Sequence, residues 1–130
     1  MTLKLLQELM CELDSGAIVG YSVAGRQRDQ AVPFSSELYG LYLCPHLKGQ
    51  GLGSGLVRSA VEWLVAQGHE NLIVWVIEKN SIGRKFYLSV GGTHLPNRRT
   101  KEFNNMAIVE FAYGWSNLKS LLSQLSAELR

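Results

Sequence analysis

The segment Lys48-Gly-Gln-Gly-Leu-Gly-Ser-Gly55 constrains this chain most, because it stands between an alternating segment and a helical one. Glu37 to Cys44 reads as a strand, with Glu37, Tyr39, Leu41 and Leu43 expected on one face and Leu38, Gly40 and Tyr42 on the other. Pro45 has no N–H to donate and ends that ladder. After the glycines, Leu52, Leu56, Ala60 and Leu64 recur at helical spacing to about Gln67, and Gly68 stands where a C-terminal cap belongs. Leu72 to Ile77 is an apolar, β-branched run, as expected of a strand buried on both faces. The order strand, glycine turn, helix, strand makes this an α/β chain with a parallel crossover.

The flanks are less regular. Leu6, Leu9, Met10 and Leu13 lie at helical spacing, although Leu9 to Leu13 equally fits a helix passing into a strand. Ala17 to Ala24 reads as a strand, closed by the polar loop Gly25 to Pro33 as one half of an antiparallel hairpin. Asn80 or Ser81 can cap a second helix carrying Ile82, Phe86, Tyr87 and Val90, which stops at Gly91-Gly92. Strands are expected from Gly92 to Arg98 and from Met106 to Ala112, then a short amphipathic helix after Trp115.

A glycine turn that opens a helix gathers unpaired backbone N–H groups at the positive end of the helix dipole, which suits an anionic phosphate. Gly49, Gly51 and Gly53 keep side chains out of that approach, while Lys48 and the Ser54 hydroxyl add a charge and a donor. The same glycines equally serve a tight turn with close helix–sheet packing. Two familiar phosphate loops fit poorly. The Walker pattern needs Gly-Lys-Ser/Thr, and Gly53-Ser54-Gly55 has no such lysine. The dinucleotide fingerprint needs a glycine at its sixth position, which is Ser54 or Leu56 here.

Bulk properties narrow the classes. The 130 residues suit one domain spanning 1–130, and 46% hydrophobic with 18% charged residues is the balance of a globular protein. A net charge of +2 argues against a nucleic-acid partner, with Arg98, Arg99 and Lys101 read as a solvated turn. Cys11 and Cys44 show neither metal spacing nor a disulfide framework and are expected to be reduced and packed. His46, His69 and His94 are scattered, so no metal is expected. No stretch approaches the roughly 20 apolar residues of a membrane span, and acidic residues interrupt any signal-peptide pattern, which leads to a cytoplasmic expectation without membrane partners.

The loop Lys48-Gly49-Gln50-Gly51-Leu52-Gly53 resembles the acetyl-CoA pyrophosphate loop of the GNAT superfamily: Arg or Gln, two residues, Gly, one residue, Gly or Ala. Glu37 to Pro45 looks like that family's central strand. Asn80-Ser-Ile-Gly-Arg-Lys-Phe86-Tyr87 with Gly91-Gly92, about 27 residues beyond the loop, is similar to its second motif. Tyr113-Gly114-Trp115 also fits, so the resemblance runs from Ala17 to Leu122. It implies a GNAT acyl-CoA N-acyltransferase fold: a mixed sheet with helices on both faces and two central strands that splay apart at a bulge. By that likeness Leu41, Tyr42 and Leu43 offer backbone hydrogen bonds to the pantetheine arm. Residues Lys48, Gly49, Gln50, Gly51, Leu52, Gly53 and Ser54 hold the pyrophosphate, and Asn80 touches the arm while capping its helix.

The implied activity is transfer of acetyl from acetyl-CoA, as cosubstrate, to a primary amine of a small molecule, peptide or protein. Tyr87 resembles the family's general-acid tyrosine; it also reads as a packed aromatic beside Phe86. Glu37, the one carboxylate of the central strand, stands where some members place the base, and otherwise reads as an exposed charge at a strand start. The family's other location for a base, five residues before the asparagine, is Trp75, which cannot serve; Trp75 reads as core or as a border of the acceptor pocket. Gly83 and Gly92 replace the usual alanine and aromatic of the second motif. Most of the usual N-terminal strand and helices lack a counterpart before Ala17, which suits an open acceptor groove or one completed in a homodimer. Two rival readings are an inactive CoA-binding sensor or interaction module, and a dinucleotide-binding fragment. The latter would need an acidic residue on Leu72 to Ile77, which has none.

Overall fold

The computed structural model describes residues 6–12, 18–29, 32–44 and 51–128. Its elements are β1 (Leu6–Glu12), β2 (Ile18–Arg26), β3 (Ser36–Leu43), α1 (Leu52–Ala66), β4 (Leu72–Ile77), α2 (Ser81–Ser89), β5 (Thr93–Phe103), β6 (Met106–Trp115) and α3 (Leu118–Glu128). Six strands form one mixed sheet in the order β1-β2-β3-β4-β6-β5. β3 and β4 pair in parallel across α1, and the other neighbours run antiparallel.

The helical spacing near the N-terminus does not become a helix. Leu6 to Glu12 is a strand that pairs with Ile18 to Gly25, so ladder hydrogen bonds to β2 outweigh the helical spacing of the apolar residues. The β2–β3 hairpin is as expected.

Leu72, Val74 and Val76 of β4 alternate onto one face with Tyr113 and Trp115 of β6, under Val57, Ala60, Val61 and Leu64 of α1. Tyr87 and Val90 from the α2 region and Leu118, Leu121 and Leu125 of α3 complete this cluster, so the three described helices share one side of the sheet. On the opposite side Ile73 and Ala112 pack with Val32, Phe34, Trp75 and Leu95. Where helices were expected on both faces, the described residues cover this second face with a loop.

The closing hairpin is longer than expected. Arg98, Arg99 and Lys101 lie within β5 and not in a solvated turn, because β5 continues to Phe103 and reverses at Asn104-Asn105. Both asparagines have positive φ, 51° and 62°, the twist a two-residue hairpin turn requires. Alternation then sends the neighbouring arginines to opposite faces. Arg98 sits 5.6 Å from the Phe111 ring centroid and Arg99 4.2 Å from that of Trp75. Arg99 also pairs with Glu110 at 2.8 Å.

Candidate functional site

The site begins with one extra residue in β3. Across the hairpin Val23 stands opposite Gly40 and Ala24 opposite Leu38, which leaves Tyr39 as a bulge. β3 and β4 are paired only from Ser36↔Leu72 to Leu38↔Val74, and the parallel pairing stops at the residue before the bulge. A bulge bends its strand and adds twist. Beyond Leu38 the two strands part, and their facing backbone groups become available to a molecule lying between them.

The bulge also reverses the expected faces. Leu38 and Leu41 both pack in the helix-side cluster, and Leu43 lies near Leu56 of α1. Glu37 and Tyr39 meet Arg28 on the other side, and Tyr42 stacks on Tyr21 there, 5.8 Å between centroids. Glu37 and Leu41 were expected to share a face; one inserted residue puts them on opposite sides. The leucine spacing 38, 41, 43, a step of three and then two, was the sequence signal of that insertion.

Glu37 is not an exposed charge. It is 2% exposed, and its carboxylate accepts hydrogen bonds from the Arg28 backbone N–H at 3.1 Å, from Nε at 3.3 Å and from Nη2 at 2.9 Å. The pairing raises the Arg28 guanidinium above its ordinary value. Arg28 also lies 4.2 Å over the Tyr39 ring, whose hydroxyl donates to the Arg26 carbonyl. Sequence reasoning missed Arg28, because nothing in the polar loop linked it to a residue of the next strand.

Helix α1 starts beside the parted strands. Its N-cap is Gly51 in a left-handed conformation, φ 78°, with no side-chain cap and no acidic residue in the first turn. Among the described residues no side chain caps its first N–H groups, an arrangement that suits an anion. Gly53 has a second reason to be glycine: a Cβ there would stand 3.1 Å from Phe86 of α2, so α1 and α2 approach closely at this point. Leu52 and Ser54 are half-buried on the same turn. Lys48, Gly49 and Gln50, like His46, lie outside the described residues.

Helix α2 supplies the remaining candidates. The Asn80 Oδ1 accepts from the Gly83 N–H at 3.0 Å, the N-cap expected of it. A Cβ at Gly83 would stand 2.6 Å from the Asn80 amide nitrogen, so glycine gives this cap its room. Tyr87 is 7% exposed, edge-on to Phe86 at 5.2 Å and to Trp115 at 6.0 Å. Burial pushes its phenol up to about 12. Gly92 leaves space for Trp115, whose ring would lie 2.9 Å from a Cβ there. Arg84 anchors the helix, with Nε donating to the Tyr113 hydroxyl at 2.9 Å and Nη1 to the Glu78 carbonyl at 3.0 Å.

Tyr87 thus lies on the helix side and Glu37 on the open side, with the parted strands between. Trp75 borders that open side, and its buried indole N–H has no hydrogen-bond partner among the described residues. Among the described residues no group of three His, Cys, Asp or Glu could hold a metal ion.

The model of the acetyltransferase (GNAT) family matches residues 5–91, which include the bulged strand, the glycine turn, α1 and α2. The chain belongs to the GNAT family. This GNAT chain is 28% identical over 116 residues to the uncharacterized N-acetyltransferase YuaI of Bacillus subtilis (strain 168), covering 87% of itself and 64% of that relative. It shares its fold with the ribosomal-protein-alanine N-acetyltransferase of Brucella melitensis, at a TM-score of 0.70 and 20% identity over 85% of this chain and 68% of that one. It likewise matches yncA of Salmonella typhimurium, solved with its cofactor acetyl-CoA, at a TM-score of 0.65 and 17% identity over 80% and 61% of the two chains.

Proposed function

We propose that this GNAT chain transfers acetyl from acetyl-CoA directly to a primary amine. The observation that carries the reading is the parting of β3 and β4 at Tyr39, next to a helix N-terminus with neither a capping side chain nor an acidic first turn. Acetyl-CoA supplies the activated acyl group as a thioester. In this reading the backbone of Leu41, Tyr42 and Leu43 pairs with the pantetheine amides, much as a strand would. The first-turn N–H groups of Leu52, Gly53 and Ser54 meet the pyrophosphate. The Asn80 amide nitrogen, left over from the cap, can donate to the same arm.

The amine approaches from the open face, past Glu37, Tyr42 and Trp75, and must reach the thioester as a neutral nucleophile. Glu37 takes its proton through water. We expect Glu37→Gln to lower kcat/KM by about tenfold, less than the roughly 10²- to 10⁴-fold usual for a general base, because the carboxylate is buried and already held by Arg28. A loss below about twofold would leave Glu37 as the anchor of the Arg28 turn alone.

The direct test is calorimetric titration with acetyl-CoA beside a thiol-release assay over polyamines, amino acids, aminoglycosides and peptides. Binding with amine-dependent release is the expected result. Binding without release from any amine would favour a CoA-binding sensor, and no binding would overturn the assignment of the parted strands.

A further inference from the structure

A second concavity lies away from the parted strands, on edge strand β5. Between His94, paired with Tyr113, and Arg98, paired with Phe111, three residues of β5 face the single residue Ala112 of β6. The excursion Leu95-Pro96-Asn97 lifts the edge of the sheet and opens a hollow of about 440 Å³ lined by these three residues with His94, Arg98 and Phe111. An excursion carrying proline is one way to blunt an exposed edge strand. Edge protection does not require what lies inside the hollow.

The Phe111 ring is flanked by two guanidinium groups, Arg84 at 4.7 Å and Arg98 at 5.6 Å, and by the His94 ring at 5.0 Å. His94 in turn stacks on Tyr113 at 4.9 Å, nearly parallel at 19°. The cations differ in what they are bound to. Arg84 spends donors on Tyr113 and Glu78. On the opposite face of the hairpin, Arg99 and Lys101 share Glu110, at 2.8 and 3.6 Å. Arg98 makes no ion pair among the described residues, and no carboxylate lines the hollow. Its guanidinium keeps its planar donors for a ligand, and such a fork matches a carboxylate in two parallel hydrogen bonds.

We propose that this hollow binds a small carboxylate with a flat apolar body, its carboxylate on Arg98 and its body against Phe111 and Pro96. The proposal goes beyond the acetyl-transfer reading and stands without it. The carboxylate can belong to the amine acceptor or to a separate molecule; both present the same chemistry to Arg98.

The probe is benzoate, titrated into the full chain by calorimetry and by NMR, with benzamide as the uncharged twin. Benzoate is expected to bind at least about tenfold more tightly than benzamide and to shift the resonances of His94, Asn97 and Arg98. Arg98→Gln is expected to bring benzoate down to the benzamide level while thermal stability holds, since the Arg98 side chain is exposed. Equal binding of the two probes, an unchanged benzoate affinity in Arg98→Gln, or shifts confined to other residues would overturn the site. Acetyl-transfer assays with glycine and glycinamide then separate the sources. A preference for glycine that disappears in Arg98→Gln assigns the hollow to the acceptor, and benzoate binding with no such preference assigns it to a separate ligand.

Discussion

Deletion of Tyr39 is expected to leave a folded protein that no longer binds acetyl-CoA. The deletion joins Leu38 directly to Gly40, and alternation then runs unbroken: Leu38 stays on the helix side opposite Ala24, and Gly40 stays on the open side opposite Val23. Each side chain from Leu41 to Leu43 keeps its present face, so the core loses nothing to misplacement. What disappears is the bend. Without it β3 can continue its parallel ladder with β4 past Leu38 and Val74, and the backbone groups proposed to hold the cosubstrate are consumed within the sheet.

Two or three backbone hydrogen bonds at roughly 1 kcal/mol each, together with a closed gap, correspond to at least about a hundredfold loss of affinity. Titration calorimetry reads that loss, and circular dichroism shows whether the strands survive. The bulged residue also holds Arg28 on its ring and donates to the Arg26 carbonyl, so a control is needed. Tyr39→Ala removes those contacts but keeps the extra residue, and it should retain most of the affinity. Loss of binding in both variants would attribute the effect to the Tyr39 side chain and sink the argument from the bend.

The same residue marks where the sequence stopped being readable. The strand, α1 and β4 follow from periodicity and from the position of Gly68, and the structure reproduces them nearly to the residue, while the first half of the glycine turn lies outside the described residues. Local signals also placed the Asn80 cap and the stop at Gly91, because a cap and a left-handed glycine act within one turn of chain. Strict alternation failed in β3, since a bulge is paid out in a single residue and declares itself only through its partner strand. The role of Arg28 was invisible for a related reason: its contact with Glu37 joins a loop to a strand nine residues later, with no period to betray it. At the N-terminus, apolar spacing pointed to a helix, and pairing with β2 made the segment a strand. The sequence could thus nominate candidate residues but not their geometry. The faces on which those residues stand depended on pairings between strands.

Tyr87→Phe is expected to cost kcat roughly 10- to 150-fold with little change in KM, the size of one hydrogen bond to a developing charge, about 1.5–3 kcal/mol. The magnitude follows from the buried phenol. At about 12 it holds its proton too tightly to pass it to a thiolate of ordinary pKa near 8.5, since a gap of about 3.5 units is an uphill step of about 5 kcal/mol. A donated hydrogen bond that strengthens as the thiolate leaves asks for no such transfer. The shape of the pH–rate profile below pH 10 should therefore be the same in both proteins, and only its height should fall. The packing against Phe86 and Trp115 survives the substitution, so thermal stability near neutral pH should hold. Alkaline stability separates the two proteins by a different route. The unfolded phenol releases its proton near 10 and the folded one near 12, so the wild-type chain loses up to about 1.4 kcal/mol per pH unit across that window, and Tyr87→Phe is spared this contribution. Denaturant midpoints at pH 9 and pH 11.5 measure it. An unaltered kcat in a Tyr87→Phe protein that shows this alkaline difference would remove Tyr87 from the chemistry and leave it as the aromatic that joins α2 to Trp115.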